Sequence, residues 1–324
     1  MNKIRFCIVG TNFISDKFAD AAWQSKSAIP YAVYSRKPGT GRAFADKHGI
    51  EKIYTDFSAM LSDGEIDAVY VASPTFLHRD HSVLALKAGK AVLCEKSIAT
   101  SFEEFSQMKS ASDCEGRVLL EAMRPQFDPA FKVIAESIPS LGKIRRAYLE
   151  FCKYSSRYDS FKRGIVENAF DTSLKNSALS DIGVYPLWLA IALFGEPMKI
   201  SSYSVRLSNG FDGAGEAMLY YGDMVASVVY SKITESRNPS VIEGEEASLI
   251  IDKVSEPSKI IFRPRIGEER VIYSKINENN MVYEIEAFSG MVRGEADYKP
   301  YLEISSSVMK VMDSIIACQS DESE

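Results

Sequence analysis

Ile4-Arg5-Phe6-Cys7-Ile8-Val9-Gly10-Thr11-Asn12-Phe13-Ile14-Ser15 opens the chain with a short apolar run, one glycine and the start of a helical pattern. A strand that ends in glycine and turns into a helix is the unit that begins a dinucleotide-binding fold, with the pyrophosphate at the positive helix N-terminus. Such a turn reads G-x-G-x-x-G or G-x-G-x-x-A. Here only the first glycine is kept: Gly10 makes the tight turn, Asn12 stands in the second glycine's place and Ser15 is small enough for close helix packing. Asn12 is expected at positive φ, which asparagine tolerates better than other non-glycine residues. Gly10, Thr11, Asn12, Phe13 and Ile14 are therefore candidate cofactor-binding residues. The competing reading is a plain strand–turn–helix that uses Gly10 only to turn.

Outward from that turn, short apolar strands and helical patterns alternate through residue 122. Strands are expected at 4–9, 31–34, 53–54, 68–72, 91–94 and 118–122, with helices at 13–24, 40–48, 57–62, 77–88 and 102–113 between them. Ala68-Val69-Tyr70-Val71-Ala72 is apolar on both faces, which suits a central parallel strand covered by helices on each side. The pattern predicts a doubly wound α/β Rossmann domain over 1–122. Beyond Glu121 the rhythm changes. Long strand-like segments at 144–154, 200–208, 215–221, 224–233, 247–252, 259–263 and 269–273 are separated by turn signals such as Tyr221-Gly222-Asp223. They predict an α+β domain over 123–324 with an open, mostly antiparallel sheet. Helices are expected near 130–138, 181–194, 282–292 and 301–317.

Composition narrows the partners. The 324 residues are 46% hydrophobic and 25% charged, which excludes collagen-like, disordered and disulfide-scaffold classes. Thirty-eight basic against 44 acidic side chains give a net charge of −6 without a long basic run, so neither a nucleic acid nor a membrane is an expected partner. Five scattered cysteines form no C-x-x-C pair and three histidines show no metal-ligand spacing, so no metal is expected. The chain reads as cytoplasmic, with a small molecule as its partner. Alternating apolar residues in Met224-Val225-Ala226-Ser227-Val228-Val229-Tyr230 put side chains on both faces of a strand that helices cover on one side, which predicts a homodimer or a dimer of dimers.

Three further segments carry chemistry. After the second strand, Ser35-Arg36-Lys37 stands where a cofactor with a free ribose hydroxyl usually meets a carboxylate. A hydroxyl and two cations suit a 2′-phosphate, so NADP is expected ahead of NAD. After the fourth strand comes Ser73-Pro74-Thr75-Phe76-Leu77-His78, and after the fifth Glu95-Lys96-Ser97. Further on stands Asp181-Ile182-Gly183-Val184-Tyr185-Pro186. In these segments the chain resembles the glucose-fructose oxidoreductase/inositol dehydrogenase family, often called Gfo/Idh/MocA. Its members usually show N-P-x-x-x-H, E-K-P and D-x-G-x-H or D-x-G-x-Y in that order. The first two motifs each depart at one residue, and the third appears in its tyrosine form, similar to dihydrodiol dehydrogenases. The resemblance extends to the closing helix with Tyr283-Glu284-Ile285-Glu286.

The resemblance implies an oxidoreductase with Lys96 beside the nicotinamide and Tyr185 as its acid–base partner. Asp181, about a turn before Tyr185, is a candidate to orient Lys96 or a substrate hydroxyl; the competing reading is that Asp181 caps the following helix and Tyr185 packs against the sheet. Ser73, Pro74, Thr75, His78, Glu95 and Lys96 join the cofactor-binding candidates. The chemistry asks for such groups independently. Oxidising an alcohol removes a hydride and a proton, and a phenol, which ordinarily titrates near pH 10, becomes a usable base when a cation stabilises its phenolate. Pro186 cannot sit deep in a regular helix, so a kinked or delayed helix start is expected there. The expected reaction joins a nicotinamide to a carbinol carbon of a sugar, polyol or cyclic diol. The alternative is a non-catalytic dinucleotide sensor of the same fold.

Overall fold

The computed structural model describes residues 3–320. It divides into two compact units, residues 1–127 with 279–303, and residues 128–278 with 304–324. The first unit alternates strand and helix: β1 (Ile4–Val9), α1 (Phe13–Gln24), β2 (Ala28–Tyr34), α2 (Pro38–His48), β3 (Lys52–Tyr54), α3 (Phe57–Leu61), β4 (Ala68–Val71), α4 (His78–Lys87), β5 (Ala91–Glu95), α5 (Phe102–Glu115) and β6 (Leu119–Ala122). The strands form one parallel sheet in the order β3-β2-β1-β4-β5-β6, the doubly wound arrangement. Every residue of β4, β5 and β6 is buried; β4 is apolar throughout, while β5 and β6 each bury one glutamate, Glu95 and Glu121, among apolar residues.

In the second unit follow α6 (Pro129–Ser137), β7 (Ile144–Cys152), α7 (Tyr158–Lys162), α8 (Val184–Phe194), β8 (Lys199–Arg206), β9 (Asp212–Tyr220), β10 (Val225–Ser231), β11 (Ser240–Gly244), β12 (Ala247–Ile251), β13 (Lys259–Pro264) and β14 (Arg270–Ser274). The chain closes with α9 (Met281–Val292) and α10 (Lys299–Ser320). The eight-stranded sheet runs β14-β13-β12-β11-β7-β10-β9-β8 and is antiparallel except where β10 pairs parallel with β7, Val228 opposite Leu149. Strand β11 was not anticipated; its five residues carry only Val241 and Ile242 as apolar signal.

The expected boundary after residue 122 differs from this division: the first unit runs on to Phe127 and takes back residues 279–303. Met281, Val282, Ile285, Phe288 and Met291 of α9 pack into the same core as Phe6, Phe18 and Tyr70, so the helix expected in the second domain completes the first unit. Its apolar positions recur at helical spacing, and nothing local says which core they fill.

Candidate active site

In a parallel sheet every strand presents its carboxyl end to the same edge, so the turns after β1, β2, β4 and β5 gather there. Gly10 has φ 111°, and a Cβ built on it would lie 2.6 Å from the Ala72 carbonyl oxygen at the end of β4. No other residue type fits that approach. Asn12 departs from expectation. Its φ is −90°, and it caps α1: Oδ1 accepts from the amides of Ile14 and Ser15 at 3.1 Å each, while Nδ2 donates to the Ala72 carbonyl at 3.0 Å. One side chain thus starts the helix and ties the β1 turn to β4, the work of an ordinary asparagine N-cap. Thr11 is half-buried and Phe13 is 73% exposed.

After β2, the Ser35 hydroxyl is buried between the Lys37 carbonyl (3.1 Å) and the Thr40 hydroxyl (2.8 Å), which fixes the turn into α2. Arg36 and Lys37 extend into solvent, and no carboxylate stands beside them in the turn. After β4, Ser73 Oγ meets His81 Nδ1 at 3.0 Å, and the His81 ring stacks on Phe57 with centroids 4.6 Å apart. Burial holds the His81 imidazole down at about 4, so it stays neutral.

His78 does not offer a ring nitrogen to a ligand. It is 1% exposed, with Nε2 2.8 Å from the Ser73 carbonyl and Nδ1 3.0 Å from that of Ser97. The ring is thus packed between two turns of the edge, and the neutral form that burial favours donates its one N–H to one of the two carbonyls. Glu95 also turns inward. Its carboxylate accepts from the Tyr70 hydroxyl and from the Lys96 amide (3.2 Å), and Glu121 holds the following Ile98 amide at 3.1 Å. These bonds fix the backbone on both sides of half-buried Lys96, and the Lys96–Ser97 peptide is cis. Gly10, the α1 N-terminus, the exposed Arg36-Lys37 pair and the Ser73-Pro74-Thr75 turn together fit a dinucleotide laid along this edge.

The second unit holds the third motif. Residues Leu179–Gly183 form a π turn that leads directly into α8, which is the irregular start that Pro186 requires. Gly183 has a packing reason: a Cβ there would come 2.9 Å from Tyr230 Cγ and 3.1 Å from Leu179 Cδ1. Tyr185 is buried to 6% exposure with its ring edge-on to Phe151. Asp181 pairs with Lys232, Nζ to Oδ2 2.8 Å, a partner that sequence reasoning missed. Lys232 is 5% exposed, donates also to the Ala169 carbonyl at 3.0 Å and lies over the Phe170 ring at 5.0 Å. Its only sequence signal is a lysine immediately after an apolar strand. Asp212 accepts from the Leu179 amide at 3.2 Å, and burial raises its carboxyl to about 6.

Among the described residues no cluster of histidine, cysteine or carboxylate side chains could hold a metal ion, and no helix is long and apolar enough to cross a membrane.

A nucleotide edge on a six-stranded Rossmann sheet, followed by a mostly antiparallel sheet domain, is the two-unit fold of the Gfo/Idh/MocA oxidoreductases. Residues 4–122 match the oxidoreductase family with an NAD-binding Rossmann fold, Gfo/Idh/MocA. The chain is 39% identical over 290 residues to a scyllo-inositol 2-dehydrogenase (NADP(+)) of Bacillus subtilis (strain 168), covering 90% of this chain and 88% of that one. It is 25% identical to the trans-1,2-dihydrobenzene-1,2-diol dehydrogenase of Mus musculus, covering 94% and 92%. The 3-ketoreductase KijD10 from Actinomadura kijaniata, solved with NADP and TDP-benzene, shares the fold with a TM-score of 0.88 at 21% identity, covering 98% of each chain. The chain belongs to the Gfo/Idh/MocA family, and it is an NAD(P)-dependent oxidoreductase acting on CH–OH groups. The non-catalytic sensor is thereby set aside.

Proposed function

We propose that the protein is an NADP-preferring dehydrogenase of polyhydroxylated small molecules, with a cyclic polyol as the first candidate and a sugar or cyclic diol as the others. The observation that carries this reading is Lys96, held by Glu95 and Glu121 at the carboxyl end of β5, on the edge shaped for a dinucleotide. The NADP(+)-dependent relative acting on scyllo-inositol supports the substrate class. The exposed Arg36-Lys37 pair supports the cofactor preference, because a guanidinium bonds a 2′-phosphate bidentately where NAD's ribose would need a carboxylate.

The bound nicotinamide supplies the hydride acceptor or donor at its C4. The chain's own residues handle the proton and the pose. Tyr185 exchanges the proton of the substrate hydroxyl at its phenolic oxygen, and Lys96 supplies the cation that stabilises the anionic oxygen formed. Asp181, aimed by Lys232, accepts a bond from a neighbouring substrate hydroxyl. A screen of cyclitols, sugars and dihydrodiols with both cofactors, followed by nicotinamide absorbance, tests the reading. Turnover of a cyclitol with NADP above that with NAD is expected; no turnover of any polyol in the set would sink it.

The same reading includes a homodimer, or a dimer of dimers, through the open face of the eight-stranded sheet. Tyr203, Val205, Met218 and Tyr220 on β8 and β9 are 46–66% exposed on one face, while Ala217, Leu219, Ala226 and Val228 are buried on the other. An apolar sheet face of this kind marks an interaction surface. Light scattering should give a multiple of the 36.0 kDa chain, and a monomer at micromolar concentration rules the dimer out.

A further inference from the structure

Glu284 occupies a core position of α9. It lies between Met281 and Phe288 on the stripe that packs into the first unit, and it is fully buried. Neither carboxyl oxygen has a hydrogen-bond partner among the described residues. An ionised carboxylate left in that condition pays its full desolvation cost with nothing to offset it.

The neighbouring charges supply one. The groups that act on Glu284 are Glu95 at the end of β5 and Arg124 in the turn after β6; Tyr70 on β4 feels both carboxyls and the guanidinium. On α9's own side, Asn280 Oδ1 accepts from Arg124 at 3.4 Å. From α1, the Lys17 carbonyl accepts from Asn279 at 2.9 Å. Both carboxyls feel the Arg124 guanidinium, and Glu95 also feels the Lys96 ammonium. Glu95 already has two donors, the Tyr70 hydroxyl and the Lys96 amide, whereas Glu284 has none. The carboxylate therefore belongs on Glu95 and the proton on Glu284.

We propose that Glu284 is a buried carboxylic acid that keeps its proton at neutral pH and acts, through Glu95, as a positioning residue for Lys96. Burial first, then the Glu95 charge, pushes its carboxyl well above the ordinary range, with Arg124 opposing. While Glu284 is neutral, the Glu95 carboxylate faces Lys96 without a second charge against it. Ionisation of Glu284 sets a like charge against Glu95 and so disturbs the carboxylate that acts on the ammonium. The positioning role rests on the reading of Lys96 given above; the protonation state does not.

The first test is infrared spectroscopy of the unliganded protein at neutral pH. A protonated-carboxyl stretch that shifts in heavy water is expected in wild type, and its loss in Glu284→Gln assigns it. The second is chemical denaturation of both proteins across pH. A carboxyl with a raised folded pKa gives stability away as pH rises above its unfolded value of about 4.3, so the midpoint of Glu284→Gln should gain on wild type with increasing pH. No protonated-carboxyl band in wild type, or a gap between the two midpoints that does not change with pH, overturns the proposal. The wild-type spectrum decides the first point even if the variant does not fold. The third is the pH profile of kcat, whose basic limb should move up in Glu284→Gln; an unmoved limb with the spectral result intact removes the positioning role alone. The first two tests use no substrate, so they stand or fall separately from the dehydrogenase reading.

Discussion

The two sheets of this molecule use their surfaces in opposite ways. The six-stranded sheet is parallel, and its central strands are buried on both faces, so its only accessible chemistry lies along the strand ends. There the Gly10, Ser35, Ser73 and Lys96 turns meet because parallel strands all finish at one edge. The eight-stranded sheet is mostly antiparallel and leaves one face open, and its candidate groups come from one helix start and the end of a single strand, with Asp181 and Tyr185 about α8 and Lys232 just after β10. A cofactor edge arises from topology alone, whereas a substrate group has to be aimed individually by packing.

The largest effect should separate these two designs. Lys96→Ala and Tyr185→Phe are each expected to lower turnover by about 10²–10⁴, the usual worth of one positioned acid–base group, with fold and cofactor binding nearly unchanged. If the two serve one proton, the double variant should be little worse than the poorer single one, and full additivity would mean that they act independently. A Tyr185→Phe enzyme within about threefold of wild type would remove the tyrosine from the chemistry.

The next effect sharpens the packing side of the comparison. Asp212 is buried with a carboxyl raised to about 6, so it is stable as the neutral acid and costs stability as pH climbs from its unfolded value toward 6. Asp212→Asn should therefore stabilise the protein at neutral pH by up to about 3 kcal/mol, with the difference gone below about pH 4. Denaturant melts at several pH values check it; a variant less stable than wild type at neutral pH would show that Asp212 is held ionised by the Leu179 amide.

On the nucleotide edge, Arg36→Asp should weaken NADPH binding by roughly ten- to a hundredfold, a charge-assisted contact being worth about 1.5–3 kcal/mol, and leave NADH binding much less affected. Fluorescence titration of both reduced cofactors measures this, and equal affinities in wild type would break the NADP assignment. The smallest effect is expected at Gly183→Ala. The added methyl meets the Tyr230 ring at 2.9 Å and should cost about 1–3 kcal/mol of stability, with a larger loss of kcat than of cofactor affinity. A neutral result would show that the π turn can shift without consequence.

The alternating pattern of the first 122 residues needed only local information, since each strand there is short, apolar and bounded by a helix with its own cap or glycine stop. The residues of the nucleotide edge were legible for the same reason, as turns that follow apolar strands. Local patterns also located most of the second sheet's strands, and the proline at 186 already required an irregular helix start. The comparisons establish the family on which Lys96 and Tyr185 were singled out.

Partner choice was settled by packing between distant segments. Asn12 caps a helix where a positive φ was expected, because the side chain finds two amides and the Ala72 carbonyl within reach. His78 and Glu95 look like ligand contacts in a motif and turn out to hold the turns of the edge, since burial leaves them only backbone and Tyr70 to bond. Strand β11 and the parallel β7–β10 pair, the membership of α9 in the first unit, and the Lys232–Asp181 pair all join residues far apart in the chain. Periodicity records which face of a segment is apolar, and that is a property of neighbours in sequence. The identity of the surface that covers it, and of the charge that answers a buried charge, is settled only when the chain closes on itself.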